Sequence, residues 1–330
     1  MSERGEVVVI TGASAGIGRA TARLFAAEGA ALGLIARGRE GLEATAREVE
    51  ELGGRALILA ADVADEAAVE RAAAAVEEAF GPIDLWINNA FAGIFSPFAD
   101  IASDEFRRVT DVTYFGQVHG VRAALKRMRP RNRGAIVLVG SALAYRGIPL
   151  QSAYCGAKHA LQGLIDSVRS ELLHERSRVR LTMVQLPGVN TPQFDWVRKH
   201  VPGRPKPTGA VYQPEVAARA IRFAARSGRK EVIVGRPALQ AIWADKLVSP
   251  LLDRYLGRTG YAGQQEQASP EPDRRDNLFE PVPGDHGAHG RFDAEAKASS
   301  WQLWATMNRP ALAVAGAAAA IGAGLLLRRR

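Results

Sequence analysis

A single cysteine, Cys155, stands in 330 residues. One thiol excludes an intrachain disulfide framework and any multi-cysteine metal site. It suits a reducing compartment without requiring one. Histidine is also scarce, with six in the chain. Neither His119 nor His200 has a visible partner for metal or triad chemistry, so no metal is expected. No zinc-finger pattern, basic helix or aromatic RNA-binding motif is present, so nucleic acid is not an expected partner. The first residues do not read as a signal peptide, because Glu3, Arg4 and Glu6 precede only a short apolar run. What remains, 47% hydrophobic and 24% charged, is the composition of a folded globular chain. The net charge of +8 is uneven: residues 1–263 carry +8, residues 264–299 carry −4 and residues 300–330 carry +4. A solvated basic surface is the plain reading of the first part, and attraction of polyanions the sharper one.

Short apolar runs alternate with helical spacing along most of the chain. Strands are predicted near residues 7–10, 31–35, 56–60, 83–87, 135–139, 179–184 and 231–234. Helices are predicted near 17–28, 40–52, 65–80, 103–128, 152–174 and 214–227. Near-continuous apolar strands between amphipathic helices imply an α/β fold, a doubly wound and mostly parallel sheet covered on both faces. We therefore expect one catalytic domain over residues 1–236. Residues 237–263 read as an amphipathic helical extension, with Pro250 set to break or kink it. Residues 264–299 hold four prolines, three glycines, eight acids and four bases, and read as a flexible linker.

The chemistry-bearing motifs lie at predicted strand ends. Gly12, Ser14, Ala15, Gly16, Ile17 and Gly18 form a G-x-x-x-G-x-G turn between the first strand and first helix. Glycines there permit a tight turn and close backbone approach to a pyrophosphate, and the helix start supplies N–H donors. The second strand ends at Arg37, with no carboxylate to hold an adenosine ribose. A guanidinium there suits a 2′-phosphate, which favours NADP(H) and leaves NAD(H) possible. Asp62 and Val63 follow the third strand, and Asn89 and Ala90 the fourth. They can face an adenine or nicotinamide ring, or serve as caps and loop anchors. Ser141 follows the fifth strand. Tyr154 and Lys158 are four apart on a helix and share a face. A nearby ammonium favours the phenolate, so Tyr154 can exchange a proton with an alcohol or carbonyl oxygen while Ser141 holds that oxygen. Cys155 lies off that face and reads as a packed small residue.

Taken together and in this order, TGASAGIG at 11–18, Arg37, DV at 62–63, NNA at 88–90, GS at 140–141, YCGAK at 154–158 and PGVNT at 187–191 resemble the short-chain dehydrogenase/reductase family. The resemblance covers about residues 6–236. It implies a Rossmann-type sheet of seven strands in the order 3-2-1-4-5-6-7. It implies Tyr154 as general acid/base, Lys158 as its electrostatic partner and ribose anchor, and Ser141 as substrate orienter. Pro187, Gly188, Val189 and Thr191 would lie beside the nicotinamide. A homo-oligomer built on the long helices is also implied. Two positions depart from the family pattern. Phe91 stands where a glycine usually follows Asn-Asn-Ala. Thr113 stands at the fourth catalytic position, usually asparagine, where the backbone carbonyl supports a water relay.

The expected function is an NADP(H)-dependent oxidoreductase interconverting a secondary alcohol and a carbonyl compound. The alternative is a membrane-tethered nucleotide-binding interaction protein with little turnover. A lid is expected over residues 190–212, where an apolar wall with a basic mouth would suit a lipophilic carbonyl, with or without an acidic group. Residues 311–327 are 17 consecutive apolar residues followed by three arginines. As a helix this run is about 25 Å long, near the lower limit for a ~30 Å hydrocarbon layer. It is read as a C-terminal membrane anchor within residues 300–330, with Trp301 and Trp304 at the interface and the catalytic domain on the cytoplasmic side.

Overall fold

Val7, Val8, Val9 and Ile10 are all fully buried, with Val7 and Val9 in one apolar cluster and Val8 and Ile10 in the other. Period-two alternation with both faces buried is the signature of a central strand covered on both sides. The computed structural model describes residues 5–267 and 274–314. Its main sheet comprises β1 (Val7–Thr11), β2 (Ala31–Ala36), β3 (Arg55–Ala60), β4 (Leu85–Asn88), β5 (Ala135–Val139), β6 (Arg180–Gln185) and β7 (Glu231–Ile233). The helices are α1 (Gly16–Ala26), α2 (Arg39–Glu51), α3 (Glu66–Phe80), α4 (Ser103–Thr110), α5 (Gly116–Met128), α6 (Ser152–His174), α7 (Gln193–Trp196), α8 (Pro214–Ser227), α9 (Arg236–Thr259) and α10 (Trp301–Met307). Strand order is β7-β6-β5-β4-β1-β2-β3, and every neighbouring pair is parallel. The seven-stranded Rossmann-type sheet is therefore present, in the order that the resemblance implies.

One face of the sheet packs on α1, α2 and α8 through Phe25, Leu42 and Ile221; the other packs on α3, α5 and α6 through Val76, Val121 and Leu161. Between α4 and α5 the chain widens into a π-helical turn at Asp111–Phe115. In α9, Val248 leaves helical geometry two residues before Pro250, as a proline without an N–H requires.

Two expectations for the C-terminal part are corrected. Residues 274–299, expected as a flexible linker, pack along the domain. Leu278, Ala288 and Phe292 are each at most 4% exposed. Acids of the segment meet arginines of the basic domain: Asp276 pairs with Arg198 at 2.9 Å, and Asp285 pairs with Arg19. Low apolar content prevents a core of its own but not docking on an existing one.

The membrane anchor is corrected as well, and with it the membrane partner and membrane-associated location. Among the described residues no helix is long and apolar enough to cross a membrane. The described start of the tail docks on the domain instead. Ser300 caps α10, Leu303 is 3% exposed in the core, and Gln302 bonds the backbone at Gly235 and Ile233. Residues 315–330 of the apolar run and arginine triplet lie outside the described residues.

Candidate active site

The glycine turn lies at the carboxyl end of β1, where open parallel sheets place their ligand crevice. Gly12 sits at φ +67°, a left-handed conformation that favours glycine. A Cβ on Gly18 would stand 2.0 Å from the Gly12 carbonyl oxygen, so α1 can approach the turn only without one. Ala15 at the helix cap offers no side-chain acceptor, and the first N–H of the helix, that of Gly16, donates to the Gly287 carbonyl at 3.1 Å. Asn89 supports this turn from behind. Its Nδ2 donates to the carbonyls of Thr11 and Gly12 at 3.0 and 3.2 Å. The Thr11 hydroxyl oxygen accepts from the backbone N–H groups of Asn89 and Ala90.

A cavity of about 520 Å³ runs along the strand ends, within the usual range for small-molecule sites. One end is walled by Ser14, Arg37, Gly41, Asp62 and Val63; Ala90, Val189 and Thr191 follow, and Ser141, Tyr154 and Lys158 close the other end. Gly12, Ala15, Gly16, Ile17, Asn89, Pro187 and Gly188 also border it. Gly18 is buried beneath the turn. The structure thus gathers residues spread from 12 to 191 around one elongated space.

At the catalytic end, α6 carries Tyr154 and Lys158 one turn apart. Lys158 is 2% exposed and its Nζ donates to the Val139 carbonyl at 2.6 Å. Nζ lies 5.5 Å from the centre of the Tyr154 ring. Burial pulls the Lys158 pKa down to about 7. Tyr154 keeps a partly exposed ring, but its hydroxyl end is enclosed. That burial raises its pKa above the usual phenol value, opposed by a hydrogen bond from Ser141. Low local polarity therefore favours the uncharged form of both groups. The Ser141 hydroxyl oxygen accepts from the Leu143 N–H at 3.2 Å, which fixes the side chain at the end of β5. Burial pushes the Cys155 thiol up to about 11, the opposite of what a nucleophile needs.

The two positions that depart from the family pattern meet in one loop. Phe91 lines the cavity and packs edge-on against Tyr154, ring centres 5.7 Å apart. Thr113 is fully buried in the π turn and off the cavity wall. Its hydroxyl donates to the Ala92 carbonyl at 2.8 Å and accepts from the Ala92 N–H at 2.9 Å. The Thr113 side chain thus holds the loop that presents Phe91.

Sequence reasoning missed the second wall of the nucleotide end. Asn277, Pro281, Val282, Gly284 and His286 border the cavity from the C-terminal segment. Arg37 donates to the carbonyls of Asn277, Leu278 and Phe279. Arg108 bridges the Leu278 carbonyl and the Asp62 carboxylate. The other Asp62 oxygen accepts from the Ala64 N–H. The contrast of −4 in this segment with +8 before it was the available signal. The basic mouth also reads differently in three dimensions. Arg198 and His200 pair with Glu105, and Arg204 pairs with Asp195. Phe194, Trp196 and Val197 remain on the cavity wall, joined by Leu252 and Leu256 of α9.

Comparison with known proteins agrees with this geometry. A family profile described as short chain dehydrogenase matches residues 6–201. The uncharacterized oxidoreductase YxnA of Bacillus subtilis (strain 168) is 34% identical over 283 residues, covering 85% of this chain and 80% of that protein. Levodione reductase of Leifsonia aquatica is 38% identical over 192 residues, 57% of this chain and 71% of that one. A crystal structure of a metagenomic short-chain oxidoreductase in complex with NADP superposes with a TM-score of 0.59 at 30% identity, covering 71% of this chain and 98% of that one.

Proposed function

Because the chain belongs to the short-chain dehydrogenase family and is an oxidoreductase of that kind, we propose that it interconverts a secondary alcohol and a carbonyl compound using NADP(H), with Tyr154 as general acid/base. The observation that carries this reading is the single cavity that joins Arg37 and the glycine turn to Ser141, Tyr154 and Lys158.

The residues fit a dinucleotide. The glycine turn would take the pyrophosphate on backbone N–H groups, as helix starts do. Arg37, with no carboxylate at the end of β2, supports the 2′-phosphate form. Burial and the neighbouring Arg108 charge hold the Arg37 pKa below its usual value, so an anion there is welcome. Lys158 would anchor the nicotinamide ribose, and Pro187, Gly188, Val189 and Thr191 would flank the ring. When bound, the cofactor supplies or accepts the hydride.

The chain's own residues handle the proton and the oxygen. The Tyr154 hydroxyl gives its proton to the substrate oxygen in reduction and takes it back in oxidation. Ser141 donates a hydrogen bond to the same oxygen as charge develops. Phe91, packed on Tyr154, limits water at the hydroxyl. Thr113, by fixing Ala92, keeps Phe91 in place. The apolar wall of Phe194, Trp196, Val197, Leu252 and Leu256 supports a lipophilic substrate. Arg198, His200 and Arg204 are already paired with Glu105 and Asp195, so they do not call for an acidic group on the substrate. Tyr154→Phe tests the reading: turnover with a reactive ketone should fall by about 10²–10⁴-fold, while NADPH binding stays within a few-fold. Retained turnover would remove Tyr154 from the acid/base role.

A further inference from the structure

The nucleotide end of the cavity has two walls of different origin. One is the domain itself, from β1 to β4. The other is the segment from Asp276 to Gly290, which crosses over the ends of β1, β2 and β3. Each place where the adenosine half of a dinucleotide would rest is also a place where this segment is fastened. At the end of β2, Arg37 donates to three consecutive carbonyls of the segment. Beside β3, Arg108 ties the Leu278 carbonyl to Asp62, and the Leu278 side chain is fully buried. At the glycine turn, the Gly16 N–H donates to the Gly287 carbonyl at 3.1 Å. At the start of α2, the Gly284 N–H donates to Glu40. On α1, Asp285 pairs with Arg19, which is itself buried and held by Glu48 at 2.8 Å.

These contacts leave the cavity open beneath them: Ser14, Arg37 and Gly41 still line it, facing Pro281 and Val282. The segment therefore roofs the site, and at Gly16 and Arg37 its carbonyls hold donors that the nucleotide phosphates would take over. We propose that residues 276–290 are a cofactor clamp, a strap that closes over the adenosine half of NADP(H) and must unlatch at Asp285 and Gly284 for the nucleotide to enter or leave. The inference rests on the nucleotide reading given above. Leu278, fully buried and held through its carbonyl by Arg108, forms its fixed end. The Asp285–Arg19 pair forms its releasable end, because Asp285 is about half exposed and Arg19 keeps Glu48 when the pair opens.

A reversible lock tests it. A Cβ on Gly38 would stand 3.6 Å from the Pro281 Cβ, inside the usual 3.5–4.5 Å for a disulfide. Gly38 has φ −77° and ψ 114°, which any residue adopts. The full chain carrying Gly38→Cys and Pro281→Cys is compared oxidised and reduced, with NADPH fluorescence followed by stopped flow. Association and dissociation should both slow by about tenfold or more on oxidation, as for a gated site, with the dissociation constant changing much less. Asp285→Asn gives the complementary arm. It keeps the side-chain oxygen that accepts from the Gly287 N–H but removes the charge. NADPH release should then quicken by about three- to tenfold, the scale of one partly exposed charged hydrogen bond. Equal exchange rates in the oxidised and reduced states would overturn the clamp. Failure of protein oxidised with NADPH already bound to retain it would also overturn it, by making the segment an obstruction. Unchanged release from Asp285→Asn would overturn the assigned latch. If the reduced full chain bound neither NADPH nor NADH, the nucleotide reading itself would fall, and the clamp with it.

Discussion

Replacing Lys158 with methionine should stabilise the fold at neutral pH and remove a pH dependence. Lys158 is buried beside Val139, and burial brings its pKa from 10.5 to about 7. At 1.36 kcal/mol per pH unit, that depression amounts to about 5 kcal/mol against the charged form. In the unfolded chain the ammonium persists to about pH 10.5; in the folded chain it gives up its proton near 7. Between these values the unfolded state binds more protons, so stability rises with pH. Well below pH 7 the folded state carries the whole penalty. Methionine keeps the length of the side chain and removes the charge. It also removes one charged hydrogen bond, worth about 1.5–3 kcal/mol. The variant should therefore be more stable than the wild type by a few kcal/mol at pH 6. From pH 7 to 9 the wild type should gain about 2–3 kcal/mol on this account and close the gap. Tyr154 has a raised pKa, so its contribution is present below pH 10 and lost only above it, which sets the upper limit of the assay. Urea unfolding of nucleotide-free protein at pH 6, 7.5 and 9 measures the difference. Parallel stability profiles for the two proteins, or a wild type more stable than the variant at pH 6, would refute the electrostatic account.

Arg37→Glu should reverse the cofactor preference, weakening NADPH by about tenfold or more as a charge pair becomes a like-charge contact; titration with NADPH and NADH reads it, and an unchanged ratio would dissociate Arg37 from the 2′-phosphate. Thr113→Val should cost about 1–3 kcal/mol, because the Ala92 N–H and C=O lose a buried partner; thermal melts give the stability, and a pH–rate profile with unchanged shape would place Thr113 outside the proton route. Leu278→Ala should destabilise by about 2–5 kcal/mol, as for other fully buried leucines; a change under 0.5 kcal/mol would mean that the segment is not docked in solution. Among ketones of graded length, kcat/KM should rise with apolar size until Leu252 and Leu256 obstruct the chain end; preference for small polar ketones would contradict the apolar wall.

Much of the fold was legible because each of its signals is local. β1 shows its burial in four consecutive apolar residues, and the turn after it shows its geometry in the glycines that only close packing explains. Tyr154 and Lys158 could be paired from helical spacing alone. The kink before Pro250 follows from the chemistry of one residue. The strap was illegible for the opposite reason. Leu278 and Phe292 are single apolar residues in a polar, proline-rich stretch, too sparse for any periodic pattern. Their burial depends on surfaces built much earlier in the chain: Phe292 packs on Phe194, and the Leu278 carbonyl meets Arg37 and Arg108. The same stretch looks disordered by composition, yet its acids complement arginines on the domain. Arg108 is one cation among many in the sequence, and only the fold brings it to Asp62 and the Leu278 carbonyl. Thr113 was legible as a departure, but its partnership with Ala92 needed coordinates. The tail misled because seventeen apolar residues in a row suggest lipid, whereas among the described residues no helix is long and apolar enough to cross a membrane.

Arg37 and its carbonyl partners are separated by about 240 residues of chain. On a ribosome adding roughly 5–20 residues per second, the strands and α8 are complete several seconds before residue 290 is made. All seven strands of the sheet have been made by then, so the sheet can condense in that interval. The roof over the nucleotide end is then the last part of the site to be laid down. A nascent chain would meet the cellular pool of dinucleotide through an unroofed crevice, and the closing segment would arrive afterwards. The order of synthesis thus lets the ligand load first and be enclosed second.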